Sequence, residues 1–272
     1  MKILSVAFFT FLLSLSSFSQ GPVDGYMKNK KDYAIGLSAS REKAGALFTG
    51  TETIAAGRTT YAFSLFAIYG ISDRLNVQAN IPYLNVNKGT ETDFQDASLY
   101  VKYLVLKKDN KYGNFNLMAA AGYAHPLTDY QLSGGSAIGQ QAKTGDFRII
   151  AQQNLKNKYF VSLQGGYFLK SNPTPNAFSS SIKVGYAGKI YADVWFETMH
   201  AFGGTDYQGV GDLEPTAARG GFQGLGFSFN KIGGTVFYPI SKHFGAFGGL
   251  SFVLSGRNAF RNTGINLGFV IQ

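Results

Sequence analysis

Apolar and polar side chains alternate one by one along much of this sequence, most regularly between residues 58 and 86. Two alternating runs lie there on either side of a short polar turn at 72–74. In the second run the apolar side chains occupy every second position: Leu75, Val77, Ala79, Ile81 and Tyr83. The positions between them hold Asn76, Gln78, Asn80 and Pro82. We call each such set of alternate positions a parity. Because successive side chains of a strand point to opposite faces, this pattern predicts a β-hairpin with one apolar face.

Similar runs repeat from residue 33 to residue 272, which predicts about twelve strands joined by connections of alternating length. The short connections are 72–74, 107–113, 154–157, 187–189 and 241–243, and the long ones are 41–57, 87–95, 126–145, 171–177, 203–220 and 255–262. The stretch 222–240 fits either one long strand or a strand with an ordered loop segment above it. Bacterial outer-membrane barrels combine an even strand number with short periplasmic turns and longer external loops. We therefore predict an all-β, transmembrane, antiparallel up-and-down β-barrel at 33–272, preceded at 21–32 by a short, loose periplasmic segment.

A soluble β-sandwich could also alternate in this way, so the positions of the tyrosines are informative. On the apolar parity they fall toward the two ends of the predicted strands: Tyr69, Tyr103, Tyr186 and Tyr238 at the turn ends, and Tyr83, Tyr123 and Tyr167 at the loop ends. Amphipathic rings prefer the headgroup levels of a bilayer. This distribution favours a membrane barrel with two aromatic girdles over cross-strand packing in a soluble sheet.

The first twenty residues have the pattern of a secretory signal peptide: one lysine, an apolar run, then small and hydroxylic residues. The apolar run is shorter than the roughly 20 residues that a spanning helix needs. The sequence has no cysteine, which excludes disulfides, thiolate metal sites and a cysteine nucleophile. Its net charge of +9 comes without a recognisable nucleic-acid motif. We therefore expect outer-membrane lipid and a small-molecule solute as partners, no nucleic acid and no cofactor; the oligomeric state is left open.

If the apolar face is outside, the opposite parity lines the lumen. The predicted lining and selectivity residues are Gln78, Asn80, Lys102, Arg148, Lys183, Asp193 and Glu197, accompanied by Asn76, Gln152 and Gln164. A charge inside a narrow barrel must be paired or hydrated. The three cations are therefore expected either to meet the two acids in an ion network or to form a basic wall that selects solutes. An ion network that only stiffens the barrel is the alternative. Four aromatic residues share the same parity and predict either a hydrophobic track or simple filling of the interior: Phe160, Phe168, Trp195 and Phe247.

Two other functions remain open from the sequence. His125 and His200 fall near the loop ends of their strands, where a general base of a lipid hydrolase would lie, and Ser133, Ser136, Asp129 and Asp206 are near in sequence. The acids Asp206, Asp212 and Glu214 match no calcium-loop spacing, so no metal site is predicted. A closed barrel that acts as a surface anchor or adhesin through the loops at 126–145 and 203–220 is the third possibility.

Three segments carry a resemblance to a known family: YGISDRLNVQANIPYLNV, DASLYVKYLV and the late SGRNAFRN with its terminal strand. Over residues 61–272 the sequence resembles outer-membrane proteins grouped as components of a phenol meta-pathway and described as transporters. The resemblance implies a small outer-membrane barrel that passes small hydrophobic or aromatic molecules. It implies no catalytic or binding residues. Residues and resemblance together predict a passive channel or transporter.

Overall fold

A computed structural model describes residues 23–50, 52–132, 136–207 and 221–272. The predicted signal peptide at 1–20 lies outside these residues. The strands are β1 (Tyr33–Phe48), β2 (Thr53–Ser72), β3 (Leu75–Val86), β4 (Glu91–Phe94), β5 (Asp96–Asn110), β6 (Gly113–Pro126), β7 (Thr144–Leu155), β8 (Tyr159–Lys170), β9 (Ala177–Ala187), β10 (Tyr191–Ala201), β11 (Ser228–Pro239), β12 (Phe244–Arg257) and β13 (Ala259–Ile271). A short 3-10 helix spans Gly221–Gly224.

The strands form one closed antiparallel barrel. Each pairs with its neighbours along the sheet, β1 pairs with β13, and β2 pairs with β3 to close the ring. The short β4 and the long β5 both pair with β3 on either side of Gln95, so together they occupy one position in the wall. The barrel thus has twelve positions, and the predicted fold class is confirmed. Both chain ends of the barrel lie with the short turns, at what we call the turn end; the opposite end is the loop end.

The outer surface of the barrel is apolar, and this follows from the alternation in the sequence. Leu37, Ile149 and Leu267 each keep more than half of their surface exposed, and their outward neighbours Ile35, Phe147 and Ile265 are exposed as well. Single exposed apolar residues are normal in soluble proteins, but a continuous apolar band is not. The predicted girdle tyrosines Tyr69 and Tyr123 are among the exposed residues, toward opposite ends. No helix in the described ranges is long and apolar enough to cross a membrane.

Inward-facing glycines allow large aromatic rings to fill the barrel. A Cβ atom on Gly245 would lie 2.0 Å from the Cζ atom of Phe237, and one on Gly36 would lie 2.2 Å from the Cζ atom of Phe66. No side chain larger than hydrogen fits at either position without moving the ring. These glycines therefore make room for rings that reach across from neighbouring strands.

The predictions of long loops at 41–57 and 255–262 are wrong, because both connections are much shorter than predicted. β1 runs to Phe48 and β2 starts at Thr53, while β12 and β13 are separated only by Asn258. Of the polar residues that suggested loops, Glu42 and Asn262 line the inside of the barrel, whereas Lys43 and Arg261 are exposed on its outer face. The strands therefore continue beyond the apolar belt, with polar side chains on both faces. The stretch 222–240 has the second of its two predicted forms, an ordered segment followed by a strand.

The expectation of a loose segment at 21–32 is also wrong for its described part, which begins at Val23. Lys31 donates its backbone N–H to the carbonyl of Gly70 at 2.7 Å, and Lys30 donates to Asp73 Oδ1 at 2.9 Å. Upstream of these contacts Val23 and Asp24 are almost fully buried. The segment therefore enters the barrel from the turn end and lies within its lumen.

Candidate functional site

The lumen has two unlike halves, and the half at the turn end is filled. One cluster of buried side chains consists of Ala34, Phe66, Phe160, Tyr191, Phe237, Phe247 and Val270, with Tyr26 of the N-terminal segment packed against it. A second cluster joins Val23 to Tyr100, Leu104, Met118, Ala120 and Ile150. Phe160 and Phe247, predicted as part of a track or as filling, belong to the first cluster. The N-terminal segment thus completes an apolar core inside the barrel.

Lys102 fixes this segment in place. Its Nζ atom donates to Asp24 Oδ1 at 2.7 Å, to the Asp24 carbonyl at 3.0 Å and to the Tyr26 carbonyl. The lysine is fully buried and Asp24 nearly so. A buried ammonium is tolerated only when it is paired and its donors are satisfied. Lys102 therefore depends on the N-terminal segment, and the segment depends on Lys102.

Arg148 is paired in a similar way, with a partner on its own strand. Its Nε atom donates to Asp146 Oδ2 at 2.7 Å, and its Nη1 atom donates to Gln164 Oε1 at 2.7 Å. The Tyr100 hydroxyl donates to the same Asp146 oxygen at 2.8 Å. Gln164 donates its Nε2–H to the carbonyl of Val23 at 2.9 Å. This network ties the wall of the barrel to the start of the described segment.

Lys183 and Asp193 form the third buried pair, with Nζ and Oδ2 3.1 Å apart. The Tyr191 hydroxyl donates to Asp193 Oδ2 at 2.5 Å, and Asp193 Oδ1 accepts the backbone N–H of Thr235 at 3.0 Å. Of the pairings that the sequence suggested, the structure brings this one together. Glu197 lies farther toward the loop end, opposite Lys231 in the β10–β11 register. Each predicted cation of the filled half therefore has its own carboxylate.

Sequence reasoning missed two of these carboxylates. Asp146 has the same parity on β7 as Arg148, so it could have been found from the alternation. Asp24 precedes the first strand, and nothing in the alternation indicates that it re-enters the lumen. Gln78 is buried on the inner face of β3, and Asn80, two residues nearer the loop end, is partly buried. Trp195 is buried in the lumen, and Phe168 lies against the Arg148 guanidinium at 4.9 Å.

The half of the lumen at the loop end contains a cavity of ≈ 640 Å³. Its wall mixes polar and apolar side chains from the strands with residues of two loop segments, at 137–140 and 222–227. The lining used below comprises Glu42, Arg58, Ala62, Lys170, Phe222 and Lys231. We call this space the loop-end cavity. It is large enough for a small organic molecule and offers that molecule both charge and apolar surface.

The charged groups of the loop-end cavity are held more loosely than those of the filled half. Lys231 Nζ lies 3.3 Å from Glu42 Oε1, and both side chains are partly exposed. Lys170 donates its Nζ–H to Gln140 Oε1 at 3.3 Å, an amide rather than a carboxylate. The Arg58 guanidinium donates to the carbonyl of Ala137 at 2.8 Å and lies over the Phe260 ring. These donors can exchange their present partners for a solute at lower cost than the buried pairs.

The described parts of the loop between β6 and β7 line the barrel interior, and Tyr130 holds them in place. The Tyr130 hydroxyl donates to Asp96 Oδ1 at 2.5 Å and accepts the backbone N–H of Gln141 at 2.8 Å. Burial, and then the nearby Asp96 carboxylate, raise the pKa of Tyr130 above its ordinary value, so the hydroxyl stays protonated. Gln140 in turn donates to the carbonyls of Gln223 and Leu225 at 3.1 Å. Two loop segments thus form part of the cavity wall.

The barrel wall splits at its loop end between β12 and β13. These strands pair with each other only as far as Phe252 and Thr263, although β12 runs to Arg257 and β13 begins at Ala259. Beyond that level β12 stays with β11, and β13 stays with β1. A second cavity of ≈ 680 Å³ lies at the split, and we call it the outer groove. Both cavities are lined by Ala44, Val253 and Asn262.

Comparison with solved structures identifies the same architecture. The COG4313 outer membrane channel from Pseudomonas putida F1 has a TM-score of 0.68 to this chain at 15% identity, covering 92% of this chain and 99% of its own. The KdgM porin in complex with disordered oligogalacturonate has a TM-score of 0.52 at 8% identity, covering 87% of this chain and 98% of its own. At such identities the likeness concerns the fold, and the apolar belt places that fold in a bilayer. The chain is an outer-membrane β-barrel. No family model and no curated protein matches it.

The two histidines of the alternative hydrolase function lie apart on this barrel. His125 and His200 are exposed on β6 and β10, which are separated by three strands. His125 contacts the Tyr123 hydroxyl at 3.3 Å, His200 meets the ring of Phe202, and Asp206 is paired with Arg257. Ser133, Asp212 and Glu214 lie outside the described residues. Within those residues no group of three metal-ligating side chains could hold a metal ion.

Proposed function

We propose that this protein is an outer-membrane channel that admits small amphipathic solutes through its loop end. The loop-end cavity carries the proposal, because it offers polar and apolar surface inside a closed barrel. The resemblance to phenol meta-pathway proteins supports hydrophobic or aromatic solutes as the substrate class. Transport is passive and uses no cofactor.

The N-terminal segment is the part that must move for a solute to cross the filled half. It is held by hydrogen bonds and side-chain packing, whereas the wall around it is one continuous sheet. Removing it would expose Lys102, Arg148, Lys183 and Asp193 to the lumen. In that state these residues, with Gln78, Asn80 and Glu197 nearer the loop end, would set ion selectivity.

The test compares the mature chain, which is the chain without the predicted signal peptide at 1–20, with a variant that also lacks residues 23–28, both reconstituted in planar bilayers and in liposomes. Conductance and uptake of benzoate and of a small sugar are measured. We expect low conductance from the full chain and at least a roughly tenfold rise on deletion, because charged and aromatic groups that fill the lumen are removed. Lys102→Gln, Arg148→Gln and Lys183→Gln in the deletion variant should shift selectivity away from anions.

The exposed turn-end pair Lys107→Gln and Lys108→Gln is the charge-matched control, and it should leave selectivity unchanged. A deletion variant that folds but passes neither ions nor solutes above the level of empty membranes would contradict the proposal. Enzymatic lipid hydrolysis that disappears with His125→Ala or His200→Ala would replace it with the hydrolase.

A further inference from the structure

The outer groove combines charge and apolar surface in an unusual arrangement for a lipid-facing wall. Lys43 on β1 and Arg261 on β13 line it on one side, and Phe252 and Leu254 on β12 line it on the other. Both basic side chains are exposed on the outer face of the barrel. Arg41 follows on the same face of β1, two residues nearer the apolar belt. The groove is thus basic on one side and apolar on the other.

Among the residues that the structure describes, no acid at the outer groove balances this charge. No carboxylate lines the outer groove, and neither Lys43 nor Arg261 forms an ion pair among the described residues. The adjacent Glu42 points into the lumen, where it pairs with Lys231. Clusters of unbalanced cations at a membrane surface attract anionic headgroups.

The level of the groove matches that of the headgroups. On β13 the outward residues Phe269, Leu267 and Ile265 are apolar, and Thr263 and Arg261 follow toward the loop end. The cations therefore lie just beyond the edge of the apolar belt. Phe252 and Leu254 continue the apolar surface beside them on β12, where an acyl chain can pack.

The split in the wall gives a second reason for an occupant at this place. Beyond Phe252 and Thr263 the facing edges of β12 and β13 do not pair with each other. Backbone N–H and C=O groups at a strand edge that lack a strand partner need another polar partner. Phosphate oxygens can accept from backbone N–H groups as well as from lysine and arginine.

We propose that the outer groove binds the phosphate-bearing headgroup of an outer-leaflet lipid. Lys43 and Arg261 hold the phosphate, Arg41 adds positive charge below them, and one acyl chain packs on Phe252 and Leu254. The bound lipid covers the split between β12 and β13 from outside. The outer groove shares Ala44, Val253 and Asn262 with the loop-end cavity, but lipid binding on its outer side does not require that the barrel conducts.

The test measures lipid binding to the full mature chain by native mass spectrometry from detergent, using dioleoyl phosphatidic acid as the probe. Dioleoylglycerol supplies the same chains without phosphate, and inorganic phosphate supplies the anion without chains. Since each basic residue at a membrane surface favours an anionic lipid by about fivefold, Lys43→Gln with Arg261→Gln should weaken phosphatidic acid binding roughly 25-fold. The pair Lys107→Gln and Lys108→Gln removes the same charge at the turn end and should have no effect.

Each of the following three results would contradict the proposal. Equal binding of phosphatidic acid to the double variant and the wild type would remove Lys43 and Arg261 from the site. Equal binding of dioleoylglycerol would make the groove an apolar contact only. Competition by inorganic phosphate at micromolar concentration would make it a site for a soluble anion. Folding of the double variant is checked by its heat-modifiable migration in gels.

Discussion

The two halves of the lumen are built from the same strands but solve the problem of interior charge differently. In the filled half, Lys102, Arg148 and Lys183 each lie within 3.1 Å of a carboxylate and are almost fully buried. In the loop-end cavity, Lys231 and Lys170 have longer contacts, to a partly exposed carboxylate and to an amide. The first arrangement fixes a structure, and the second leaves donors available to a solute. Charge inside a barrel is therefore not by itself a sign of selectivity.

The largest expected difference between the halves comes from removing one lysine in each. Lys102→Met leaves Asp24 buried without its lysine, and breaking such a pair costs about 3–5 kcal/mol of unfolding free energy. The matched change Lys231→Met removes a partly exposed pair and should cost about 0–1 kcal/mol. Urea unfolding followed by the fluorescence of the only tryptophan, Trp195, measures both. Equal losses would mean that the halves are not energetically distinct.

Packing density gives the next contrast. Gly245→Ala places a methyl group 2.0 Å from the Phe237 ring in the filled half, which should cost about 1–3 kcal/mol through overpacking. Gly57→Ala at the loop end is the control, since nothing lies within 4 Å of its added Cβ atom. The same urea titration compares them. An unaffected Gly245→Ala variant would show that the ring can move aside.

Loss of the Tyr130 hydrogen bond, which holds the loop between β6 and β7, should lower the unfolding free energy by a smaller amount. This amount should not depend on pH in the neutral range. Tyr130→Phe removes the hydrogen bond to Asp96 and should cost about 1 kcal/mol. Because the pKa of Tyr130 is raised on folding, the contribution of its hydroxyl is complete below the unfolded pKa near 10.0 and declines only above it. The difference in unfolding free energy between the wild type and the variant should therefore be constant between about pH 7 and 9. A decline within that range would contradict the raised pKa.

The smallest effect on stability is expected in the cavity itself. Ala62→Phe projects into the loop-end cavity, where space exists, so unfolding free energy should change by less than about 1 kcal/mol. Uptake of benzoate by the deletion variant described above should nevertheless fall, because the added ring occupies the path. Unchanged uptake with unchanged stability would place the path elsewhere.

The residues of the lumen show how much of the site could be predicted from the alternation of apolar and polar positions. Parity alone assigned Lys102, Arg148, Lys183 and Asp193 to the inside, because a lipid-facing strand tolerates charge on one face only. It could not assign their partners, since strand register and the path of the N-terminal segment depend on contacts between residues far apart in sequence. The pair of Lys102 with Asp24 spans 78 residues. Charged residues on both faces of β1, with Arg41 and Lys43 outside and Glu42 inside, also imitated a loop at 41–57.

By itself, the sequence determined the strand-turn alternation, the outward apolar face and hence a closed barrel in a membrane. These properties depend on side chains two residues apart, so they can be read locally. Only the tertiary structure decided that the N-terminal segment fills one half of the lumen, that the other half holds a cavity, and that the wall splits between β12 and β13. Those features depend on which distant groups meet inside the ring and satisfy one another's charge, and no local pattern encodes that.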